Sequence, residues 1–223
     1  MDISFKENQN KISFIVSNLD EKFIPVFKDQ FYDIEDNKAI KTFPKPIENI
    51  EQIKNNYIKY TEEMILQAGY FKKVLWEDAL FEFIKRVEDE NIDWWLTGSC
   101  ALNLRGIPIK PHDVDIMLNS KDIDNIREIF KDNIVWPILS TNGWIVKYFG
   151  VIFLHRQIDL AFDPQKVADN PKPSDFGPYA MKNLEEIKWK GYIVKIPPID
   201  LQLRVNKKRG RTKRVKAIES FLK

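Results

Sequence analysis

The sequence predicts an α+β fold in which a mixed β-sheet is flanked by helices, preceded by a β-rich and helical extension over residues 1–70 and closed by a C-terminal helical region within 71–223. Three observations lead there. Segments with apolar residues at every second position recur at both ends of the chain, as strands require, and stretches with apolar residues at helical spacing lie between them. Between residues 94 and 118 an apolar run, a Gly-Ser turn and a short helical pattern lead into the alternation His-Asp-Val-Asp-Ile-Met-Leu. Amphipathic helices interleaved with strands need a sheet face to cover, and that makes a layered fold.

In chain order, Ile3 and Phe5, then Ile12, Phe14 and Val16, alternate around the polar break Glu7-Asn8-Gln9-Asn10 and read as a β-hairpin. Residues 23–43 are aromatic and apolar in short pieces, with Pro25 and Pro44 limiting regular structure. They predict a small β-rich elaboration packed on the main part or on a second copy of the chain, as a homo-oligomer would have it. From Pro46, Ile47, Ile50, Ile53, Tyr57, Ile58, Thr61, Met64 and Ile65 recur at helical spacing, and Gly69 suits the stop. A second amphipathic helix carries Leu80, Phe83, Ile84 and Val87 on one face, with Asp78, Glu82, Lys85 and Arg86 on others.

That helix feeds a strand at 93–97, the Gly98-Ser99 turn, and one or two helical turns through Ala101, Leu102 and Leu104. Pro108 and Pro111 mark a loop before the strand that carries Asp113 and Asp115. Ser120 is placed to cap a helix running to about Phe130. Residues 134–136, 144–148, 151–155 and 157–162 read as strands that complete the sheet. The polar, Pro-rich stretch 163–177 is a long loop, of the kind found at the edge of a site. Residues 179–187 look helical and 189–196 strand-like, and Pro197-Pro198 separates them from a final helical region. There Arg204, Lys207, Lys208, Arg209, Arg211, Lys213, Arg214 and Lys216 form a basic run without an acid.

Composition narrows the function classes. With 43% hydrophobic and 30% charged residues the chain is an ordinary folded protein, and a net charge of +2 does not by itself select an acidic partner. The single cysteine, Cys100, excludes an intramolecular disulfide and a Cys-x-x-Cys zinc site; only two histidines are present, too few for a His-rich centre. No apolar run is long enough to cross a membrane, and MDISFKENQN lacks the regions of a signal peptide, so no membrane partner and a cytoplasmic location are expected.

The chemistry concentrates at Gly98, Ser99, Asp113 and Asp115. In a strand the side-chain period is two, so Asp113 and Asp115 leave the same face. Two carboxylates so placed repel each other, and a hard divalent cation between them relieves the repulsion. Magnesium is usually held by one or two carboxylates together with substrate phosphates. A glycine at the turn lets the backbone approach such a phosphate, and the helix start adds unpaired N–H groups.

With the later lone acid of Gln157-Ile158-Asp159-Leu160, these residues resemble the nucleotidyltransferase superfamily that shares the DNA polymerase beta catalytic fold. Lys110-Pro111-His112-Asp113-Val114-Asp115-Ile116 is similar to the matching segment of lincosamide nucleotidyltransferases and their uncharacterised relatives. The resemblance covers roughly residues 93–162. It implies a metal-dependent enzyme with Asp113, Asp115 and Asp159 as catalytic metal ligands, Gly98 and Ser99 as nucleotide-binding residues, one or two Mg2+ ions, and a nucleoside triphosphate, ATP among them, as donor. The nucleoside monophosphate would pass to a hydroxyl of an acceptor, with release of pyrophosphate. The acceptor stays open among a small molecule such as an antibiotic, tRNA and protein.

Other readings remain beside this one. A module of the same fold without activity would bind nucleotide or RNA only. A glycosyltransferase also uses an Asp-x-Asp metal site, but does not call for the upstream Gly-Ser turn or the later acid. His112 is either structural or a contact beside the metal ligands, His155 and Cys100 are expected to be structural, and the basic run is either a solvated face or a binding surface for triphosphate or nucleic acid.

Overall fold

The computed structural model describes all 223 residues. The N-terminal alternation forms the hairpin β1 (Asp2–Glu7) and β2 (Lys11–Ser17), followed by the short helix α1 (Ile24–Asp29) and the strands β3 (Asp33–Glu35) and β4 (Lys38–Pro44). These make an antiparallel four-stranded sheet in the order β1-β2-β4-β3. Helix α2 (Ile50–Ala68) comes next. It begins four residues later than the apolar spacing from Pro46 suggests, because Asn49 just before it sits at φ +54, a left-handed conformation that ends any continuous helix.

The main sheet follows helix α3 (Trp76–Val87) and holds β5 (Trp94–Thr97), then helix α4 (Gly98–Leu104), β6 (Val114–Leu118), helix α5 (Ile123–Ile129), β7 (Ile134–Ser140), β8 (Val146–Leu154) and β9 (Arg156–Pro164). Its order is β5-β6-β9-β8-β7, with β6 and β9 parallel and the other neighbours antiparallel. The architecture is therefore α+β with a mixed sheet. After it come helix α6 (Pro178–Lys182), the hairpin β10 (Glu185–Trp189) and β11 (Tyr192–Ile196), and the helices α7 (Ile199–Lys208) and α8 (Thr212–Phe221). No helix is long and apolar enough to cross a membrane.

Several expected elements are redrawn. The segments at 144–148 and 151–155 are one strand, β8, whose turn into β9 is made at His155 with φ +57. The helix expected over 179–187 stops at Lys182, and its second half joins the next segment as a hairpin through Lys190-Gly191, both at positive φ. Alternation of Glu186, Lys188 and outward groups with Ile187 outweighs helix propensity there. Ser120 does not cap α5: the side chain of Asn119 accepts from Lys121 N at 2.9 Å, while Ser120 N donates to Asp163 Oδ1 at the same distance.

The two faces of the main sheet are distinct. Leu96, Val114, Ile116, Leu118, Ile158, Leu160 and Phe162 point into the principal core, which runs on without a break through Phe83, Met64 and Tyr57 to Phe14 in the N-terminal sheet. Met117, Trp95 and Val146 face the other way and pack with Leu201 of α7 and Ala180 of α6. The N-terminal part, helix α2 and β7 are tied together by buried polar links: Tyr32 and Tyr57 of α2 share a hydroxyl hydrogen bond of 2.9 Å, Trp136 Nε1 of β7 donates to Tyr32 Oη at 3.3 Å, and Asn56 Nδ2 of α2 donates to Ile134 O of β7 at 3.0 Å. Each link satisfies a polar group that burial would otherwise leave at a cost of about 1–3 kcal/mol.

A candidate metal and nucleotide site

Asp115 lies on β6 opposite Asp159 on β9, in register between two parallel strands, so the two side chains leave the same face beside one another. Asp113 sits just before β6. The carboxylate oxygens of all three lie within 4.8 Å of one another. Their common face is the one that Met117 and Ala161 share, and above the carboxylates it opens into a cleft of about 870 Å³.

Thr97, the last residue of β5, pairs with Asp115 across the strands, so Gly98 follows directly over that carboxylate. Gly98 has φ +67, and a Cβ built there would collide with Asp115 Oδ2. Glycine is thus required twice, for the backbone turn and for the close approach. Ser99 is buried, and its Oγ accepts from His112 N at 3.4 Å, which ties the start of α4 to the loop carrying Asp113. Cys100 is buried as a small apolar residue would be, its thiol donating to Asp113 O at 3.1 Å. Burial raises that thiol well above its usual range, with Asp115 and Asp113 adding, so it is no nucleophile at neutral pH.

The carboxylates are electrostatically uneven. Burial raises Asp115 well above the usual carboxylate range, helped by the charges of Asp113, Asp159 and Asp175. Burial and Asp113 push Asp159 up to about 7, against the hydrogen bond that Gln157 Nε2 donates to its Oδ1 at 2.7 Å. Burial would raise Asp113 too, but hydrogen bonding and charge from His112, with Arg156 and Arg214, bring it below the ordinary value. Three oxygen-donor groups that cannot all ionise comfortably side by side suit a hard divalent cation, which removes the repulsion and accepts such ligands. The donor set fits one.

The structure brings Asp113, Asp115, Asp159, Gly98 and His112 to the same cleft. His112 contacts one of the three carboxylates as well as lining the cleft: its Nε2 donates to Ala68 O at 3.2 Å and its Nδ1 lies 3.7 Å from Asp113 Oδ2. His155 is exposed in its turn and plays no part.

Four residues that the sequence reading did not single out join the site. Asp175, in the 163–177 loop, lines the cleft with its Oδ1 buried and unpartnered, and burial raises it to about 6 against the pull of Arg209. No periodicity marks a loop acid, and sequence offers no signal for it. Arg156 is fully buried; its Nε donates to His112 O at 2.9 Å and its Nη1 to Met64 O at 3.2 Å, holding the Asp113 loop from behind. A readable signal existed, because period two places Arg156 on the core face with Ile158, Leu160 and Phe162. Gln157, on the opposite face, orients Asp159. Lys41 of β4 also reaches the cleft, and its signal was similar, a lysine in register with buried Ala39 and Phe43.

From the basic run, Arg209 and Arg211 line the cleft at the corner between α7 and α8. Arg209 stacks over Phe176 at 5.3 Å. Other members of the run are used elsewhere: Lys207 pairs with Glu219 at 2.7 Å, and Arg204 pairs with Asp200 at 3.6 Å and donates to Pro173 O at 3.1 Å, bracing the 163–177 loop.

Residues 79–159 match the family model for aminoglycoside-2''-adenylyltransferase, a span that includes the Gly-Ser turn and all three aspartates. The resemblance to nucleotidyltransferases read from the motif is borne out by that match, and the family it names is one of enzymes. No curated protein matches the chain. Among solved structures, a candidate nucleotidyltransferase from Thermotoga maritima is 19% identical over 64% of this chain and 89% of that chain, with a TM-score of 0.48. The lincosamide antibiotic adenylyltransferase LnuA, lincomycin-bound, is 14% identical over 67% and 99% of the two chains, with a TM-score of 0.47. ANT(2'')-Ia in complex with adenylyl-2''-tobramycin is 11% identical over 65% and 87%, with a TM-score of 0.43.

Proposed function

We propose that this protein is a divalent-metal-dependent nucleotidyltransferase, acting in the cytoplasm, that moves a nucleoside monophosphate from a nucleoside triphosphate to a hydroxyl of an acceptor. One observation carries the reading: Asp113, Asp115 and Asp159 converge from a loop and two adjacent strands to within 4.8 Å, on the floor of a cleft beside a glycine that admits no side chain. A structural cluster of acids has no reason to be packed against such a glycine, whereas a site for a polyphosphate does.

Asp113, Asp115 and Asp159 would hold the metal, Mg2+ being the natural ion for this donor set, and when bound it supplies positive charge against the phosphates and acidity to the acceptor hydroxyl. The chain's own residues do the rest. The backbone at Gly98, with buried Ser99 behind it, would face the terminal phosphates, and Arg209 and Arg211 would neutralise them from the α7–α8 corner. Gln157 occupies Oδ1 of Asp159, so Oδ2 is left to take the hydroxyl proton. The hydroxyl oxygen attacks the α-phosphorus, the bond to the bridging oxygen breaks, and pyrophosphate leaves with the electron pair. Positioning and charge neutralisation suffice for such a transfer, and no covalent enzyme intermediate is needed.

We further propose that residues 71–223 form the catalytic part and residues 1–70 an extension that walls the acceptor side of the cleft. The test of the transferase reading is pyrophosphate release from ATP, GTP, CTP or UTP with Mg2+ and a panel of hydroxylated acceptors. Activity that survives intact in Asp115→Asn sinks it, because the metal ligand set is then wrong. Nucleotide binding without turnover on any acceptor would support an inactive module in its place.

A further inference from the structure

The cleft has two halves, set by the sheet order β5-β6-β9-β8-β7. Gly98, Asp175, Arg209 and Arg211 stand towards the β5 edge, the half assigned above to the triphosphate. Beyond Asp159, towards β7, the lining changes to Phe31, Lys41, Trp136, Trp144 and Phe149. Phe31 and Lys41 belong to the N-terminal extension, so this half exists only because the extension packs on β7.

Two aromatic side chains in that half stand in solvent. Phe31 is 81% exposed and has φ +59, the left-handed position that ends α1, where Tyr32 N donates back to Phe27 O at 3.0 Å. Trp144 is a second exposed aromatic, at the turn between β7 and β8. The turn that leaves the Phe31 ring in solvent also delivers its carbonyl to Lys41. Lys41 Nζ donates to Phe31 O at 2.9 Å and Gln30 O at 3.3 Å, and lies 4.1 Å from the centroid of the buried Trp136 ring. The ammonium is thus fixed by two neutral carbonyls and an aromatic face. The acids it feels, Asp159 first and Asp33 after it, are not in contact with it, and Asp29, which also lines this half, is exposed to solvent and makes no ion pair with it. An ammonium with three donors and two neutral acceptors keeps one donor for a ligand.

We infer that the acceptor is a ring-bearing hydroxy compound that carries an anionic group and no amine cation. Its ring lies against the exposed Phe31 and Trp144, its anion takes the free donor of Lys41, and its hydroxyl reaches Asp159. The inference rests on the transferase reading and deepens it, naming the acceptor class. A polyamine acceptor would meet Lys41 with like charge, and such juxtapositions are how sites reject the wrong partner.

Three chromogenic probes on one scaffold test the point: the 4-nitrophenyl β-glycosides of glucuronic acid, glucose and glucosamine, which are anionic, neutral and cationic. Their nitrophenyl ring quenches tryptophan fluorescence, so Trp136 and Trp144 report binding to the full-length protein without turnover. The glucuronide should bind about tenfold tighter than the glucoside, and the glucosaminide about tenfold weaker, the scale of one charge contact in a partly buried site. Lys41→Met should bring glucuronide and glucoside to within about twofold of each other, the charge contact being gone. Phe31→Ala, at an exposed position, should weaken all three alike by about tenfold, the scale of one aromatic contact. It serves as the second test where Lys41→Met does not fold. A glucosaminide that binds as tightly as the glucuronide, or no quenching by any probe at millimolar concentration, overturns the inference. A protein that ranks the probes as expected yet releases no pyrophosphate from any nucleotide sinks only the transferase reading. Turnover with the ranking reversed sinks only this one.

Discussion

If the proposed metal site is right, Asp115 and Asp159 carry opposite demands with and without the ion. Without metal, burial and the neighbouring charge of Asp113 raise both, so each is a source of instability at neutral pH. Replacing either with asparagine keeps the shape and removes the charge. Asp115→Asn and Asp159→Asn are expected to lower the transfer rate by about three orders of magnitude or more, while raising the melting temperature of the metal-free protein. A calorimetric scan in chelator and a pyrophosphate assay read the two effects separately, and a variant that loses activity together with stability would contradict the account. Gly98 is the complementary case. Gly98→Ala must adopt a left-handed backbone, at about 1–2 kcal/mol, and must also displace the Asp115 carboxylate that its Cβ would strike. We expect a melting temperature lower by several degrees and a transfer rate lower by about a hundredfold, because the misplaced ligand is one the reaction uses. An alanine variant with wild-type rate would show that Asp115 is free to move without consequence. The motif made these positions readable, since strand alternation assigns Asp115 a face. It was silent on Asp175, which reaches the cleft only because a loop without pattern folds back over it.

At the scale of elements, the pairing of β6 with β9 decides whether there is a site. Parallel register sets Asp115 beside Asp159, and a slip of one residue would bury Asp159 in the principal core and turn Ile158 or Leu160 to the cleft. The apolar face of both strands enforces the register, so the same residues that stabilise the sheet align the carboxylates. The α7–α8 corner is the second element with a functional consequence. The sequence shows eight cations within residues 204–216; the fold pairs Lys207 with Glu219, ties Arg204 to Asp200 and Pro173, and brings Arg209 and Arg211 to the cleft. Arg209→Ala and Arg211→Ala are expected to raise the KM for the nucleotide by about tenfold each, consistent with loss of one charge-assisted contact to phosphate, with a smaller change in kcat. Lys208→Ala, at an exposed position outside the cleft, is the control that should leave KM unmoved. Equal effects of all three substitutions would return the basic run to a diffuse field.

The whole molecule couples proton binding, metal binding and stability. An unfolded aspartate releases its proton near 3.8, whereas Asp159 in the fold holds it to about 7 and Asp175 to about 6. Between those values the folded chain binds more protons than the unfolded one, so the stability of the metal-free protein should fall as pH rises from about 4 to about 7. Asp113, held below its ordinary value, acts in the opposite sense and only in acid. On the proposed reading Mg2+ would bind the ionised carboxylates, and so should raise the melting temperature more at pH 7 than at pH 5. Melting curves with and without Mg2+ across that range check this, and a metal effect independent of pH would remove the buried carboxylates from the explanation. What the sequence determined unaided is what short-range periodicity encodes: most strands and helices of the main part, the face on which Asp115 lies, and the turn at Gly98, whose close approach to Asp115 only the fold revealed. Helix ends at 46–50 and 179–187 escaped it, because a left-handed Asn49 and a competing strand partner override local preference. Tertiary structure alone decided which distant residues meet. The N-terminal sheet buries its aromatics against β7 and so carries Lys41 to the cleft, the 163–177 loop brings Asp175, and Arg156 enters the core. Those encounters depend on packing between segments far apart in the chain, and no pattern within a segment can encode them.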